Sequence, residues 1–152
     1  MIFMIIIDAN NLILGRLASY VAKLVLEGEE VRIVNCEKAV ITGNRNSIRD
    51  NFVRKINRGL PHWGPFYPRR PDLIMKRAIR GMLPRKKEKG RKALKRVLCY
   101  IGFPDEIKKK VDSGEARLLT WKDLKKLSVE KVEILKFVRL GDIAKLIGWK
   151  PI

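Results

Sequence analysis

Catalysis by side chains needs nucleophiles, bases or metal ligands at defined spacing, and this chain offers few. His62 is the single histidine, and no nucleophile or orienting carboxylate stands at a recognisable distance from it along the chain. Cys36 and Cys99 lie in separate apolar runs without CxxC spacing. Even with His62 they supply too few ligands for a closed zinc site, so they read as reduced core thiols of a cytoplasmic protein. Gly15-Arg16 follows an apolar run as a phosphate-cradling turn would, but the GxGxxG spacing is missing, which leaves a tight turn into a helix. A metal-dependent nuclease needs clustered carboxylates, whereas residues 45–96 hold only Asp50, Asp72 and Glu88. These patterns point away from an enzyme, a resident metal or cofactor, and a small-molecule substrate.

What the chain does concentrate is positive charge. Its formal net charge is +18 over 152 residues, enough self-repulsion to call for a polyanionic partner. Residues 1–44 carry 4 Lys/Arg against 5 Asp/Glu, residues 97–152 carry 12 against 8, and residues 45–96 carry 18 against 3. The middle third alone is therefore net +15. It opens with Arg45, Arg49, Arg54, Lys55 and Arg58. Next come His62, Trp63, Phe66 and Tyr67, interleaved with Arg69 and Arg70, a mixture suited to phosphate contact by guanidinium groups and to stacking of unpaired bases on rings. The aromatics read equally well as base-stacking platforms or as anchors of the segment to the domain. Lys76, Arg77 and Arg80 follow, then Arg85, Lys86, Lys87 and Lys89, and finally Arg91, Lys92, Lys95 and Arg96. Charge runs usually form a solvated face, but the length of this one favours nucleic acid. Arg16, Lys38 and Arg45 stand near turns of the flanking sequence and complete the candidate surface.

Positioning these side chains requires a scaffold, and the flanks read as α/β. Ile2–Asp8 is a buried strand that is too short to span a membrane and lacks the features of an export signal. Leu17, Val21, Leu24 and Val25 recur at helical spacing, Gly28 stops that helix, and Val31-Arg32-Ile33-Val34 is a second strand. Asp8-Ala9-Asn10-Asn11 carries turn and cap chemistry. Thr42-Gly43-Asn44 is a further turn that opens a helix through Phe52 and Ile56, whose N-terminal N–H groups would face a phosphate. Val97–Ile101 is a strand returning to the same sheet. The spacing predicts a three-layer α/β/α domain with a small, mostly parallel sheet of about four strands. A basic arm at about 58–92 is inserted before that returning strand, which is expected to be the last. Pro61, Pro65, Pro68, Pro71 and Pro84 restrict the arm to short pieces such as Asp72–Arg80 and Arg91–Arg96, and it is expected to order on RNA with its arginines solvated in the free protein. The remainder, about 105–152, is a C-terminal extension within the single domain 1–152. Thr120–Asp123 has capping-box spacing before Leu124 and Leu127, and Asp142–Trp149 reads as a short helix with Ile143, Leu146 and Ile147 on its apolar side.

Several stretches also carry a family resemblance. Leu14-Gly15-Arg16-Leu17-Ala18-Ser19, the run Val34–Asn44 and Arg80-Gly81-Met82-Leu83-Pro84, followed by Gly90-Arg91 and Leu94-Lys95-Arg96, resemble the universal large-subunit ribosomal protein L-thirteen family. Gly64-Pro65-Phe66-Tyr67-Pro68-Arg69-Arg70-Pro71-Asp72 is similar to its archaeal branch, and the match covers about residues 4–104. The resemblance implies a parallel α/β/α domain that binds large-subunit ribosomal RNA beside neighbouring ribosomal proteins, takes part in subunit assembly and catalyses nothing. A regulatory RNA- or DNA-binding protein outside the ribosome would share all of this chemistry, and only the motif resemblance argues against it.

Overall fold

The computed structural model describes residues 4–120, 122–129 and 136–151. Met1–Phe3, which include the start of the predicted first strand, and Trp121 of the predicted capping box lie outside the described residues. Four parallel strands make the main sheet. They are β1 (Met4–Asp8), β2 (Glu30–Val34), β4 (Val97–Cys99) and β5 (Ala116–Leu119), in the order β4-β2-β1-β5. In β1, Ile5 pairs with Val31 of β2 on one side and with Arg117 of β5 on the other. A central parallel strand is covered on both faces, which is why β1 is an unbroken apolar run.

Successive strand residues face opposite ways, and the two faces have different covers. Ile7, Val31, Ile33, Val97 and Leu119 enter the larger core, where helices α1 (Leu14–Glu27), α3 (Pro71–Met82) and α4 (Glu88–Lys95) pack. Ile6 and Val34 face the other way, into a smaller core closed by Ile107 of helix α5 (Asp105–Asp112). This is the three-layer arrangement expected from the sequence. Leu17, Val21 and Val25 of α1 are fully buried, each worth about 1.5–3 kcal/mol of transfer free energy. Gly28 ends α1 at φ 114°, a conformation that costs glycine little.

Helix α2 (Arg45–Ile56) starts at Asn44, whose side-chain oxygen accepts a hydrogen bond from the Asn46 N–H at 3.0 Å, satisfying one of the first free N–H groups. A separate two-stranded antiparallel ribbon joins β3 (Val40–Thr42) to β6 (Phe137–Arg139). Helix α6 (Leu140–Leu146) follows directly and packs on the 3-10 turn Cys36–Lys38.

The structure departs from the sequence reading at several points. The two helical pieces foreseen in the basic segment are longer and belong to the core: α3 buries Ile74, Met75 and Ile79 against α1. An arm ordered only on RNA cannot include them, because their apolar side chains are already committed. Val97–Ile101 is not the final strand. β5 and β6 come later, and β5 brings the residues after 105 into the main sheet. In the Thr120–Asp123 box, the Asp123 carboxylate does accept from the Thr120 N–H at 2.9 Å. Only the 3-10 turn Lys125–Leu127 follows, however, not an α-helix. Ile143 of α6 and Ile147 just after it are buried as expected, but Leu146 is 46% exposed and Leu140 and Ala144 fill the apolar side instead.

Candidate nucleic-acid interface

The basic residues of this segment sit on three helices and the two stretches that connect them. Arg45, Arg49, Arg54 and Lys55 project from α2 and are exposed. Residues 57–70 link α2 to α3 without regular structure and present Arg58, His62, Trp63, Arg69 and Arg70 to solvent. Arg77 of α3 is exposed, while Lys76 and Arg80 are partly covered. Arg85, Lys86 and Lys87 in the turn before α4, and Lys89, Arg91, Lys92 and Lys95 on it, are all exposed. α3 begins with Pro71, whose fixed φ suits a first helical position. Asp72 in the same turn opposes the positive end of the helix dipole.

Counter-charge within this surface is scarce. Each of the three carboxylates of residues 45–96 holds one cation: Asp50 with Arg49 at 3.3 Å, Asp72 with Arg70 at 3.0 Å and Glu88 with Lys92 at 2.7 Å. Fifteen of the segment's 18 basic side chains therefore have no ion-pair partner among the described residues. A folded domain gains nothing from such an accumulation by itself, so the surplus is charge available to a polyanion.

Four of the predicted contact residues have structural tasks as well. Arg96 donates through Nη1 to the Val25 carbonyl at 3.2 Å, tying the end of α4 to α1. Arg16 reaches the Lys126 carbonyl at 3.1 Å. Arg70 clasps Asp72 through two hydrogen bonds, at 3.2 and 3.0 Å. Arg77 lies over the Tyr67 ring, 4.6 Å from its centre.

The aromatic residues divide. Tyr67 is half-buried, packs edge-on against Phe52 at 6.0 Å and has Lys55 5.7 Å from its ring centre. Burial holds its phenol above the ordinary tyrosine range, and Arg77 pulls it part of the way back. Tyr67 is thus an anchor. Trp63 and Phe66 are 74% and 67% exposed, and their rings remain open to stacking.

Two concavities collect these groups. One, of about 510 Å³, lies among α2, α3 and the connecting segment, with Lys55, Arg58 and Arg77 at its edge. The other, of about 610 Å³, draws together Phe66, Lys76, Arg80 and Arg85 beside Leu73 and Leu94. At the carboxyl ends of the strands, where open parallel sheets commonly hold ligands, Asp8 instead accepts hydrogen bonds from the Asn10 N–H at 3.1 Å and from Asn35 Nδ2 at 2.9 Å. Glu37 accepts from the Gly102 N–H at 3.0 Å. These carboxylates brace turns. The fold brings Cys36 and Cys99 together: a hydrogen bond with Cys99, reinforced by burial, holds the Cys36 thiol well above the ordinary cysteine range. Such a thiol stays protonated and is no nucleophile. Among the described residues no group of three His, Cys, Asp or Glu side chains could hold a metal ion, and no helix is long and apolar enough to cross a membrane.

A family profile described as Ribosomal protein L13 matches residues 3–106. The chain belongs to that family. Similar proteins named large ribosomal subunit protein uL13 come from Methanopyrus kandleri, 45% identical over 145 residues (95% of this chain, 87% of the relative), and Methanococcoides burtonii, 42% identical over 152 residues (97% and 99%). A third, from Haloarcula marismortui, is 42% identical over 144 residues and covers 95% of this chain and 90% of its own. The region matched by the Ribosomal protein L13 profile contains the whole basic segment and ends at the start of α5. The relatives extend the similarity through β5, β6 and α6.

One cation beside the candidate surface was not among the residues predicted from the sequence. Lys136, just before β6, lines a small cavity of about 310 Å³ together with Arg45, Asn44 and Phe137. The ribbon pairing of β3 with β6 delivers it there. Its charge was visible in the sequence, but the antiparallel register that carries it to the start of α2 was not.

Proposed function

We propose that the protein is a structural component of the large ribosomal subunit that binds large-subunit ribosomal RNA through the surface of α2, residues 57–70, α3 and α4, and that it supports subunit assembly in the cytoplasm without catalysing a reaction. The observation that carries this reading is the set of fifteen cations without an ion-pair partner among the described residues, on an α/β platform in a chain of the ribosomal protein L13 family. The platform fixes the helices, and the cations neutralise phosphates that would otherwise repel one another where RNA helices meet. Arginine adds geometric preference, since its planar fork matches phosphate oxygens two at a time. Neighbouring ribosomal proteins are the expected protein partners.

Binding of this kind releases counterions, so log affinity falls with log salt by about 0.7–0.9 for every phosphate neutralised. Titration of large-subunit ribosomal RNA fragments at rising salt tests it. A steep decline, made shallower by replacing Arg85, Lys86, Lys87 and Lys89 with Ala, supports the reading, and a flat response refutes it.

A further inference from the structure

The concavity among α2, α3 and residues 57–70 has more in it than charge. Its volume is about 510 Å³, well beyond what one phosphate group needs. Leu14, Pro65, Tyr67 and Ala78 give it an apolar wall that is still accessible, whereas Phe52 and Ile74 of the same lining are already buried. Lys55, Arg58 and Arg77 stand at its edge. None of the lining residues is acidic, and none of the three cations has an ion-pair partner among the described residues.

An apolar wall under a cationic edge matches the two halves of a nucleotide. We infer that this cavity receives one unstacked nucleotide of the bound RNA, its base against Leu14, Pro65 and Ala78 and its phosphates on Lys55, Arg58 and Arg77. The inference rests on the RNA-binding reading and adds an occupant of defined chemistry. Proteins that recognise single-stranded RNA take bases out of the stack in this way. A site for phosphate alone would gain nothing from the apolar wall, and burying that wall under a base contributes affinity that is independent of salt. The Tyr67 ring, already flanked by Arg77 and Lys55, holds the cations at the opening.

Gly81 provides the test. It lines the cavity from the last turn of α3, and a Cβ added there meets no heavy atom within 4 Å. Gly81→Leu therefore occupies the space without removing a charge and improves the helix. The four nucleoside 5′-monophosphates and inorganic phosphate are titrated separately into the protein, with amide chemical shifts as the readout. Affinity of the same samples for large-subunit ribosomal RNA is measured in parallel. At least one nucleotide is expected to bind at millimolar concentration, shifting the amides of Leu14, Tyr67 and Ala78, with a loss of ten-fold or more in Gly81→Leu and no equal response to phosphate. Equal shifts with phosphate, or nucleotide binding untouched by Gly81→Leu, would overturn the inference. If the protein binds ribosomal RNA but none of the four nucleotides, the pocket assignment fails and the RNA-binding reading stands. If it binds neither, both fail.

Discussion

Arg70 grips the carboxylate of Asp72 with two hydrogen bonds, Nε to Oδ1 at 3.2 Å and Nη2 to Oδ2 at 3.0 Å. The Asp72 side chain is only 11% exposed and that of Arg70 is 58% exposed, so the arginine shields a carboxylate that the start of α3 has drawn inward. A residue counted toward phosphate binding is also part of the helix start. Replacing Arg69, Arg70, Arg77, Arg80, Arg85 and Arg91 together therefore does not leave stability untouched, as it would if all six were solvated.

Single replacements separate the two roles. Arg70→Ala leaves Asp72 without its partner and is expected to cost about 1–2 kcal/mol. Arg85→Ala, on an exposed turn, stays within about 0.5 kcal/mol. Urea unfolding midpoints of the two variants check this, and a double replacement of Arg70 and Asp72 should cost less than the sum of the singles.

Two glycines give opposite signs. A Cβ on Gly90 would overlap the Pro84 carbonyl oxygen, and because that atom is backbone it cannot step aside. Gly90→Ala is expected to destabilise by at least about 1–3 kcal/mol. Gly81→Ala meets no atom within 4 Å in a helix and should gain up to about 1 kcal/mol. Thermal melts of both variants decide it. Equal effects would mean that α3 and α4 are not packed as described.

Amide exchange in the free protein maps what the fold holds. Ile74, Met75 and Ile79 are buried in the larger core, so α3 is expected to exchange slowly despite its charge. Residues 58–66 are all exposed, and Trp63 N–H to Leu60 carbonyl, at 3.2 Å, is the one backbone bond there among the described residues. They should exchange quickly. Fast exchange throughout 58–92 would restore the picture of a long arm ordered by RNA alone.

The contrast shows what was legible in the chain. α1 and α2 were readable because period, caps and stops agree over ten or more residues: Gly28 ends α1 and Asn44 starts α2 as their chemistry dictates. β1 and β2 were readable because they are short apolar or β-branched runs set off by turn residues. α3 was only partly visible. Its charge and surrounding prolines mask an apolar stripe of Ile74, Met75 and Ile79, and Pro71 marks a helix start as readily as a break. β5 and β6 are short, and Ala116-Arg117-Leu118-Leu119 has no clear alternation, so tertiary pairing with Met4–Ile7 makes it a strand. The candidate surface was legible as charge. Which cations are spent inside the fold, as Arg16, Arg70 and Arg96 are, depends on partners up to 110 residues away.

Tyr67 carries a pH signature of the anchor. Burial raises its phenol, and Arg77 partly offsets the rise. Because the folded state holds the proton more tightly than the unfolded chain, this contribution to stability is complete below the ordinary tyrosine pKa and is lost as pH rises through the folded-state value. Arg77→Leu removes the offsetting charge and should move the Tyr67 transition higher still, as followed by ultraviolet absorbance of tyrosinate. An unchanged or lower transition would show that Arg77 does not sit over the ring.

Sedimentation of the native protein from its own cells measures the central claim most directly. In a gradient at low salt and with magnesium, the protein is expected to travel with the large ribosomal subunit and to leave it as salt is raised, following the counterion-release slope. Recovery at the top of the gradient as a free small protein, or with another ribonucleoprotein at every salt concentration, would contradict the assignment.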